Sequence, residues 1–243
     1  MRPTFFISDL HLCAERPEIT RIFNRFISET APSAESLYIL GDLFEFWIGD
    51  DQLDHDQMAM DVAKRLNVLA TSGTRIFFMQ GNRDFLIGER FAREASLDIL
   101  ADPTLINLHS SAVLLMHGDT LCTDDVAYQS FRCQVRAPEW QKAVLAKPYA
   151  ERVALAQSIR SQSDIEKSMK PEAIMDVNVA AVSTTFRGYG YPVMVHGHTH
   201  RPARHVHLLG GRSCVRWVLQ DWHSVGGYLS HIGAEWRATV LET

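Results

Sequence analysis

A chain of 243 residues, of which 46% are hydrophobic and 22% charged, can bury the core of one compact domain. Its net charge of −5 argues against a general nucleic-acid-binding protein, because such proteins carry a basic surface. Cys13, Cys122, Cys133 and Cys214 form no C-x-x-C pair, which indicates a reduced, cytosolic protein. We expect neither a signal peptide nor a membrane span, because Asp9 interrupts the first apolar run and no run reaches about 18 residues.

Short apolar runs recur along the chain, and each predicts a buried strand that ends in polar residues. In chain order, the polar residues after five of these runs are Asp9 with His11, Asp42, Asn82, His117, and His198 with His200. Between the first three runs, apolar residues follow a helical period at residues 17–30 and 56–71. Strands that alternate with helices predict an α/β fold with a largely parallel or mixed sheet.

The position of these polar residues predicts a single site. In α/β sheets ligands bind at the carboxyl ends of the strands, and all five polar groups follow a predicted strand. Their carboxylate, amide and imidazole groups suit Mn²⁺, with Zn²⁺ or iron as alternatives, since no thiolate is among them. These candidate ligands are too many for one ion, so the sequence predicts two ions bridged by a carboxylate. For the three histidines of H-G-H-T-H at 196–200, hydrogen-bonded turn residues are the alternative interpretation.

Residues 125 to about 175 break the alternation and predict several helices. Residues 126–170 contain eight Lys/Arg and four Asp/Glu, a net charge of +4 on an otherwise acidic chain. Apolar residues lie among these charges, namely Phe131, Trp140, Val144, Leu145 and Tyr149. This composition fits either a solvated helical subdomain or a cap that contacts an anionic, partly apolar ligand.

The sequence resembles the calcineurin-like metallophosphoesterases in five motifs, which are D-x-H at 9–11, G-D at 41–42, G-N-R-D at 81–84, H-G-D at 117–119 and G-H-T-H at 197–200. The resemblance implies an αββα sandwich with a helical cap insertion. It also implies one metal ion on Asp9, His11, Asp42 and His200, and a second on Asp42, Asn82, His117 and His198. Asp42 would bridge the two ions.

The remaining histidines match no motif position. We interpret His196 as a structural neighbour of the ligands. We expect surface or packing roles for the other six, which are His55, His109, His205, His207, His223 and His231.

Arg83 departs from the family pattern, which usually has histidine at this position to help protonate an alkoxide or aryloxide leaving group. Arginine stays charged and cannot donate a proton, although it binds phosphate with two parallel hydrogen bonds. A site with Arg83 should favour a leaving group that departs as an anion, such as a phosphate monoester. The substitution therefore indicates cleavage of a phosphoanhydride.

A closer resemblance is to the family of UDP-2,3-diacylglucosamine hydrolases, through "ISDLHLCAERP", "LYILGDLFEFWIGDD", "GNRDFLIGERFARE", "MHGDTLCTDD" and "HGHTHRP". It implies one domain over residues 1–243, a cap at about 125–175 that accepts two acyl chains, and two Mn²⁺ ions. Water would attack the α-phosphorus to give UMP and 2,3-diacylglucosamine 1-phosphate, with Asn82, Arg83 and His198 as catalytic residues. The implied substrate contacts are Asn82, Arg83, Asp125, Ser163, Lys167, Lys170 and His198. Position 167 is asparagine in another family member, so that contact departs from the pattern.

The same resemblance implies the lipid substrate as partner, with no nucleic acid, and a monomer that contacts the cytoplasmic face of the inner membrane peripherally. Two other functions remain open from the sequence. One is a different dinuclear-metal nucleotide pyrophosphatase or phosphodiesterase. The other is a non-catalytic scaffold, such as the metallophosphoesterase-like subunit of retromer, which need not keep a full set of ligands.

Overall fold

Two β-sheets stack face to face in this computed structural model. It describes residues 1–109, 111–169 and 172–242, with the side chains of all of these except residues 164, 166–169, 172 and 173. The larger sheet has the strand order β11-β10-β1-β2-β3-β4. Its strands are β1 (Thr4–Ile7), β2 (Ser36–Ile39), β3 (Arg75–Met79), β4 (Asp98–Leu100), β10 (Gly226–Ile232) and β11 (Glu235–Leu241). The strands β1 to β4 run parallel to one another, and β10 and β11 extend the sheet with antiparallel pairs.

The smaller sheet has the strand order β5-β6-β7-β9-β8. Its strands are β5 (Thr104–Leu108), β6 (Ser111–Leu115), β7 (Val193–His196), β8 (Ala203–Leu209) and β9 (Arg212–Val218). The three inner strands β6, β7 and β9 are parallel, whereas β5 and β8 pair antiparallel at the edges. Parallel inner strands place their carboxyl ends on the same side of the sheet.

Helices cover the outer face of each sheet. The α-helices are α1 (Pro17–Arg25), α2 (Gln57–Thr71), α3 (Glu89–Ala95), α4 (Val126–Arg136), α5 (Pro138–Leu145), α6 (Tyr149–Met169) and α7 (Val179–Gly188). Both helical predictions are confirmed, although the one for 17–30 divides into α1 and a π-helical turn at Phe26–Thr30. The helix predicted for 56–71 begins where Asp56 caps the amides of Met58 and Ala59.

Three apolar layers hold these elements together. Along β1, Phe5 and Ile7 pack against the helices, while Phe6 points to the second sheet, as the two-residue period of a strand requires. The layer between the sheets also contains Val113 and Val195 of the smaller sheet. A third layer packs the smaller sheet against α7. The predicted αββα sandwich is therefore confirmed.

The segment that links β6 to β7 is helical, as predicted, and its apolar residues attach it to the rest of the fold. Val144 is buried in the helix-side layer of the larger sheet, and Trp140 and Leu155 pack against the same layer. The Arg152 side chain is 5% exposed and donates to the carbonyl of Ile48. Trp140 and Val144 thus dock the cap, whereas Leu145 remains 44% exposed. Within the described part of the chain, no helix is long and apolar enough to cross a membrane.

Phe26 tests the packing of the helix-side layer. Its ring lies 5.3 Å from that of Tyr228 and 6.0 Å from that of Trp222, and the side chain is 1% exposed. Replacing Phe26 with alanine should lower the free energy of unfolding by about 3–5 kcal/mol, because the substitution leaves a cavity. Urea unfolding followed by circular dichroism measures this loss. The control Val68→Ala, at a site 69% exposed, should change it by less than about 0.5 kcal/mol, and similar values for both variants would contradict this packing.

Candidate metal centre

The carboxyl ends of five strands meet at one edge of the sandwich. Short backbone hydrogen bonds join the loops that follow them, since the amide of Asp9 donates to Gly41 O at 3.1 Å and that of Gly197 donates to His117 O at 2.9 Å. The amide of Leu10 also donates to Asp42 O at 2.8 Å. The seven ligands predicted from the sequence therefore lie together, as the strand-end argument requires.

The backbone of this edge is strained at the predicted ligands. Left-handed φ values are found at Asp9 (55°), His11 (50°), Asp42 (54°), His198 (67°) and His200 (53°). Only three other non-glycine residues in the described part of the chain have positive φ. Such conformations cost of order 1–3 kcal/mol each and cluster at functional sites, where the surrounding structure maintains them. The strain therefore supports this edge as the candidate functional site independently of the motifs.

The first group of side chains brings together Asp9, His11, Asp42 and His200. The Nε2 atoms of His11 and His200 lie 3.3 Å apart. His200 Nε2 lies 3.6 Å from Asp9 Oδ1, and His11 Nε2 lies 3.8 Å from Asp42 Oδ2. Atoms that bind one small divalent ion at about 2.1 Å lie roughly 3 Å from one another, so this group is suitably spaced for an ion.

The second group comprises Asn82, His117 and His198 with the same Asp42. Asn82 Oδ1 lies 2.8 Å from His117 Nε2 and 2.9 Å from His198 Nδ1. His117 Nε2 lies 3.8 Å from Asp42 Oδ1. The two carboxylate oxygens of Asp42 therefore face different groups, which is the arrangement that a bridging ligand needs.

Two glycines allow these loops to approach so closely. A Cβ on Gly81 would overlap the carboxylate of Asp42, and a Cβ on Gly197 would overlap Asp9 Oδ2 and Ser8 Oγ. Ser8 Oγ donates to Asp9 Oδ2 at 2.6 Å, and the amide of His198 donates to the same oxygen at 2.9 Å. Glycine is therefore required at both positions by the space that the ligands leave.

Burial dominates the electrostatics of the site. It raises the pKa of Asp42 to about 6, against the opposing effect of the charge on His117. Burial lowers the pKa of His117, but the carboxylates of Asp42, Asp119 and Asp9 outweigh it and raise that pKa to about 9. For His198, burial and then the charge of His117 lower the pKa to about 3. The cluster thus combines buried carboxylates with a neutral imidazole on His198 and a proton on His117 that a bound divalent cation would displace.

Asp84 is a member of the G-N-R-D motif whose role the sequence analysis did not identify. Its carboxylate is fully buried and accepts hydrogen bonds from the amides of Gly81 at 2.8 Å, Leu43 at 2.7 Å and Asp42 at 3.2 Å. It thereby joins the loop after β2 to the loop after β3. The G-N-R-D motif already includes this aspartate. Its amide donors, however, come from two loops that meet only in the folded protein, so the sequence could not show its role.

Glu45 is a second residue that the sequence analysis missed. Its carboxylate lies 2.8 Å from Arg16 and 3.6 Å from Arg83, and it also contacts Arg160 of α6. The same carboxylate lies 3.9 Å from Nδ1 of His11. Glu45 therefore links a predicted ligand, the predicted phosphate-binding Arg83 and the cap.

Helix α4 is attached directly to the motif loops. Asp119 of the H-G-D motif is buried and accepts from Tyr128 Oη at 2.8 Å and from Arg132 Nε at 2.7 Å. One turn further along α4, Arg136 donates to the carbonyl of Gly81 at 2.8 Å. The first cap helix is therefore part of the wall of the site. The four-residue spacing of the two arginines was visible in the sequence, but their acceptors were not.

The predicted substrate contacts divide into described and undescribed positions. Asp125 is half-buried and caps α4 by accepting from the amide of Tyr128 at 3.1 Å. Ser163 is half-buried and lies three residues after Arg160 on α6, so the two share one helix face. Lys167 lies in α6, and its side chain is outside the described residues, as is the whole of Lys170.

The remaining histidines lie in packed or surface positions. The ring of His55 contacts Tyr149 at 4.2 Å, and the 1% exposed His231 contacts Trp236 at 4.5 Å. His205 and His207 lie on the same face of β8, with their ring centroids 6.4 Å apart. His196 is completely buried at the end of β7, as expected of a structural neighbour of the predicted ligands.

Comparison with known proteins gives matches of three kinds, namely a family, two named relatives and a solved structure. The sequence model of the calcineurin-like phosphoesterase family matches residues 2–202. A protein of Aromatoleum aromaticum named UDP-2,3-diacylglucosamine hydrolase is 55% identical over 94% of this chain and 93% of its own length. A protein of Stenotrophomonas maltophilia with the same name is 50% identical over 98% of both chains. The solved structure of an archaeal phosphodiesterase is 13% identical, with a TM-score of 0.48 over 98% of this chain and 99% of that one.

Asp42 tests whether two ions share one carboxylate. Removing it in Asp42→Ala should lower bound Mn²⁺ at both positions and abolish hydrolysis, because both groups lose the same ligand. Elemental analysis of protein equilibrated with Mn²⁺ counts the ions per chain. The control Asp54→Ala removes a carboxylate that pairs with Arg90 on the surface and should keep the wild-type count. A folded Asp42→Ala protein with full metal content would rule out the bridge.

Proposed function

The chain belongs to the calcineurin-like phosphoesterase family, within the group of the UDP-2,3-diacylglucosamine hydrolases, and from this membership we propose that it hydrolyses the pyrophosphate bond of UDP-2,3-diacylglucosamine in lipid A biosynthesis. Water attacks the α-phosphorus, and the products are UMP and 2,3-diacylglucosamine 1-phosphate. The proposal that the phosphoanhydride bond is cleaved rests on Arg83, which lies beside the two groups of predicted ligands. Many members of the wider family have a proton-donating histidine at this position.

Membership of this family implies a site for divalent metal, and we propose two Mn²⁺ ions. Asp9, His11, Asp42 and His200 would hold one ion, and Asp42, Asn82, His117 and His198 would hold the other. When bound, the ions activate water and neutralise charge on the phosphoryl group. The donor set of oxygen and nitrogen atoms without thiolate supports this assignment.

Arg83 is fixed beside the predicted metal ligands, where its guanidinium can contact a bound phosphate. Its amide donates to Asp42 Oδ1 at 2.8 Å, which places the residue directly beside the proposed bridging ligand. Its guanidinium lies 3.6 Å from Glu45, and 15% of the side chain is exposed. Arginine keeps its charge at every relevant pH and binds phosphate oxygens through parallel hydrogen bonds. In our proposal it stabilises the negative charge that grows on the phosphoryl oxygens.

The leaving group needs no proton from the protein. Hydrolysis at the α-phosphorus releases a sugar phosphate, whose second pKa near 6 lets it depart as an anion. An alkoxide would need a general acid, and neither Arg83 nor neutral His198 supplies an acidic proton at neutral pH. The side chains of Asn82 and His198 then orient the phosphoryl group beside Arg83.

The cap supports a substrate that is both anionic and apolar. Helix α6 approaches the site through the contact of Arg160 with Glu45, and Ser163 shares that face. On the same cap, Leu145 and Ile165 are 44% and 56% exposed and provide apolar surface. We propose that the phosphates contact cationic side chains of the cap, with Lys167 and Lys170 among them as the family resemblance implies, while the acyl chains lie on apolar cap surface. Asp125 would contact the substrate from the start of α4.

The charge of the cap also supports peripheral contact with the cytoplasmic face of the inner membrane. Residues 126–170 carry a net charge of +4. Anionic lipid attracts such a segment by about 1 kcal/mol for each lysine or arginine close to the surface, and salt weakens the attraction. A monomer that contacts the membrane in this way would meet its substrate at the bilayer surface.

Isotope labelling tests which phosphorus is attacked. Hydrolysis in ¹⁸O-labelled water should place the label in UMP, because the new bond forms at the α-phosphorus. Mass spectrometry of both products measures its position, and unlabelled UMP and sugar phosphate incubated with the enzyme control for exchange. Label in the sugar phosphate would show attack at the β-phosphorus and reverse the assignment of the leaving group.

Acyl-chain length tests the role of the cap. Removing two buried methylene groups should lower kcat/KM roughly 15-fold, because each contributes about 0.8 kcal/mol to binding. Steady-state rates on substrates of graded chain length measure this slope, with a generic phosphodiester as the reference that needs only the metal site. Equal kcat/KM for UDP-glucosamine with and without acyl chains would contradict the lipid substrate and leave a generic phosphodiesterase.

A further inference from the structure

His196 is the histidine of the H-G-H-T-H stretch to which the proposed function gives no role. It ends β7 on the face that the smaller sheet turns toward α7, and its side chain is completely buried. Across the parallel pair, His196 lies opposite Val218 and Met194 lies opposite Arg216, so Arg216 is its diagonal neighbour on β9. Both side chains therefore meet inside an apolar layer.

Arg216 is an unusual residue for that layer. It is 5% exposed on a strand whose neighbours on the same face are Cys214 and Val218. Its Nη1 lies 2.9 Å from Nε2 of His196, and its Nε donates to Nε2 of His207 at 3.3 Å. A buried guanidinium is costly, and an apolar residue of similar volume often gives equal or greater stability. The Arg216–His196 pair therefore calls for an explanation other than stability.

The hydrogen bonds define the proton position on His196. Arginine only donates hydrogen bonds, so Nε2 of His196 must be the acceptor. The proton of the neutral ring is then on Nδ1, which lies 2.9 Å from the carbonyl oxygen of Gly197 and donates to it. A ring whose Nε2 accepts a hydrogen bond carries one proton only, so these two contacts require a neutral His196. Arg216, His196 and Gly197 O thus form a directed chain.

The carbonyl of Gly197 helps to fix the turn that carries His198 and His200. It also accepts from the amide of Thr199 at 2.8 Å, so the His196 ring and the turn share one acceptor. The residues on either side of Thr199 are the two ligands His198 and His200, both in left-handed backbone conformations. Fixing the Gly197 peptide therefore fixes the start of a strained turn that supplies a ligand to each proposed ion.

We propose that His196 is a positioning residue for the metal centre. Arg216 determines the tautomer of His196. The Nδ1–H of His196 then holds the Gly197 carbonyl, so that His198 and His200 keep the orientation that metal binding needs. The proposal rests on the two-metal site of the proposed function. Partners behind a ligand of this kind typically change metal affinity by about 10–100-fold.

Two substitutions at the same position separate positioning from packing. Asparagine places its amide nitrogen near the position of Nδ1, so His196→Asn keeps a donor for Gly197 O. Glutamine extends its amide to the position of Nε2, so His196→Gln keeps a partner for Arg216 and removes that donor. We expect Mn²⁺ affinity of the metal-free protein, measured by calorimetry, to fall about 10–100-fold in His196→Gln and to change less than about threefold in His196→Asn.

His207→Leu is the matched control. His207 accepts from the same guanidinium, but it lies on the edge strand β8, so its loss should lower the melting temperature and leave Mn²⁺ affinity unchanged. Equal Mn²⁺ affinity in His196→Gln and the wild type would overturn the proposal, as would an equal loss in His207→Leu. Failure of the wild-type protein itself to bind two Mn²⁺ ions would instead count against the proposed function.

Two measurements apply if His196→Gln does not fold. Arg216→Leu replaces the buried charge with an apolar side chain and leaves the His196 tautomer free, so Mn²⁺ affinity should fall about tenfold. Unchanged affinity would overturn the proposal. In the wild-type protein, ¹⁵N chemical shifts of the His196 ring should show a protonated Nδ1 and an unprotonated Nε2. The opposite tautomer would break the chain of hydrogen bonds and overturn the proposal equally.

Discussion

Three buried carboxylates determine how the loops at the site edge of this structure are arranged. Asp9, Asp42 and Asp84 are each at most 2% exposed and lie at neighbouring strand ends. Buried carboxylates cost several kcal/mol each unless donors or cations offset the loss of water. The close contacts at Gly81 and Gly197, and the left-handed backbone of the loops, all bring amides and imidazoles to these three groups. The edge of the sandwich is thus organised around a place that divalent cations complete.

The cap is attached to this edge by arginines, and this attachment joins the lipid-recognition and metal-binding parts of the proposed site. Arg136 binds the carbonyl of Gly81, next to the predicted ligand Asn82, and Arg132 binds Asp119, two residues after the predicted ligand His117. A substrate that displaced α4 would disturb both loops. In the proposed function, a lipid headgroup bound between cap and ligands therefore contacts one continuous hydrogen-bonded structure.

Local patterns in the sequence were sufficient to predict much of the fold. The alternation of Phe5, Phe6 and Ile7 between two layers follows from the period of a strand, and the helix after Asp56 follows from its cap and its apolar spacing. The cap illustrates the limit of such patterns. Its helices were predicted, but composition could not show that Val144 packs into the core while Leu145 stays exposed. That distinction depends on which helix face meets the sheet.

Much of the candidate site could be predicted from the sequence, because each predicted ligand lies two to four residues after a strand and parallel strands bring their ends to one edge. The convergence of Asp9 and His198, 189 positions apart, depends in addition on the packing of two sheets, because the two residues follow strands of different sheets. The residues that hydrogen-bond to the predicted ligands and their loops could be identified only from the folded structure. Asp84 accepts amides from two loops, and Arg216 reaches His196 from a different strand. Such contacts depend on strand register and on the faces that strands turn toward each layer, which are set by packing between distant segments and leave no local pattern to read.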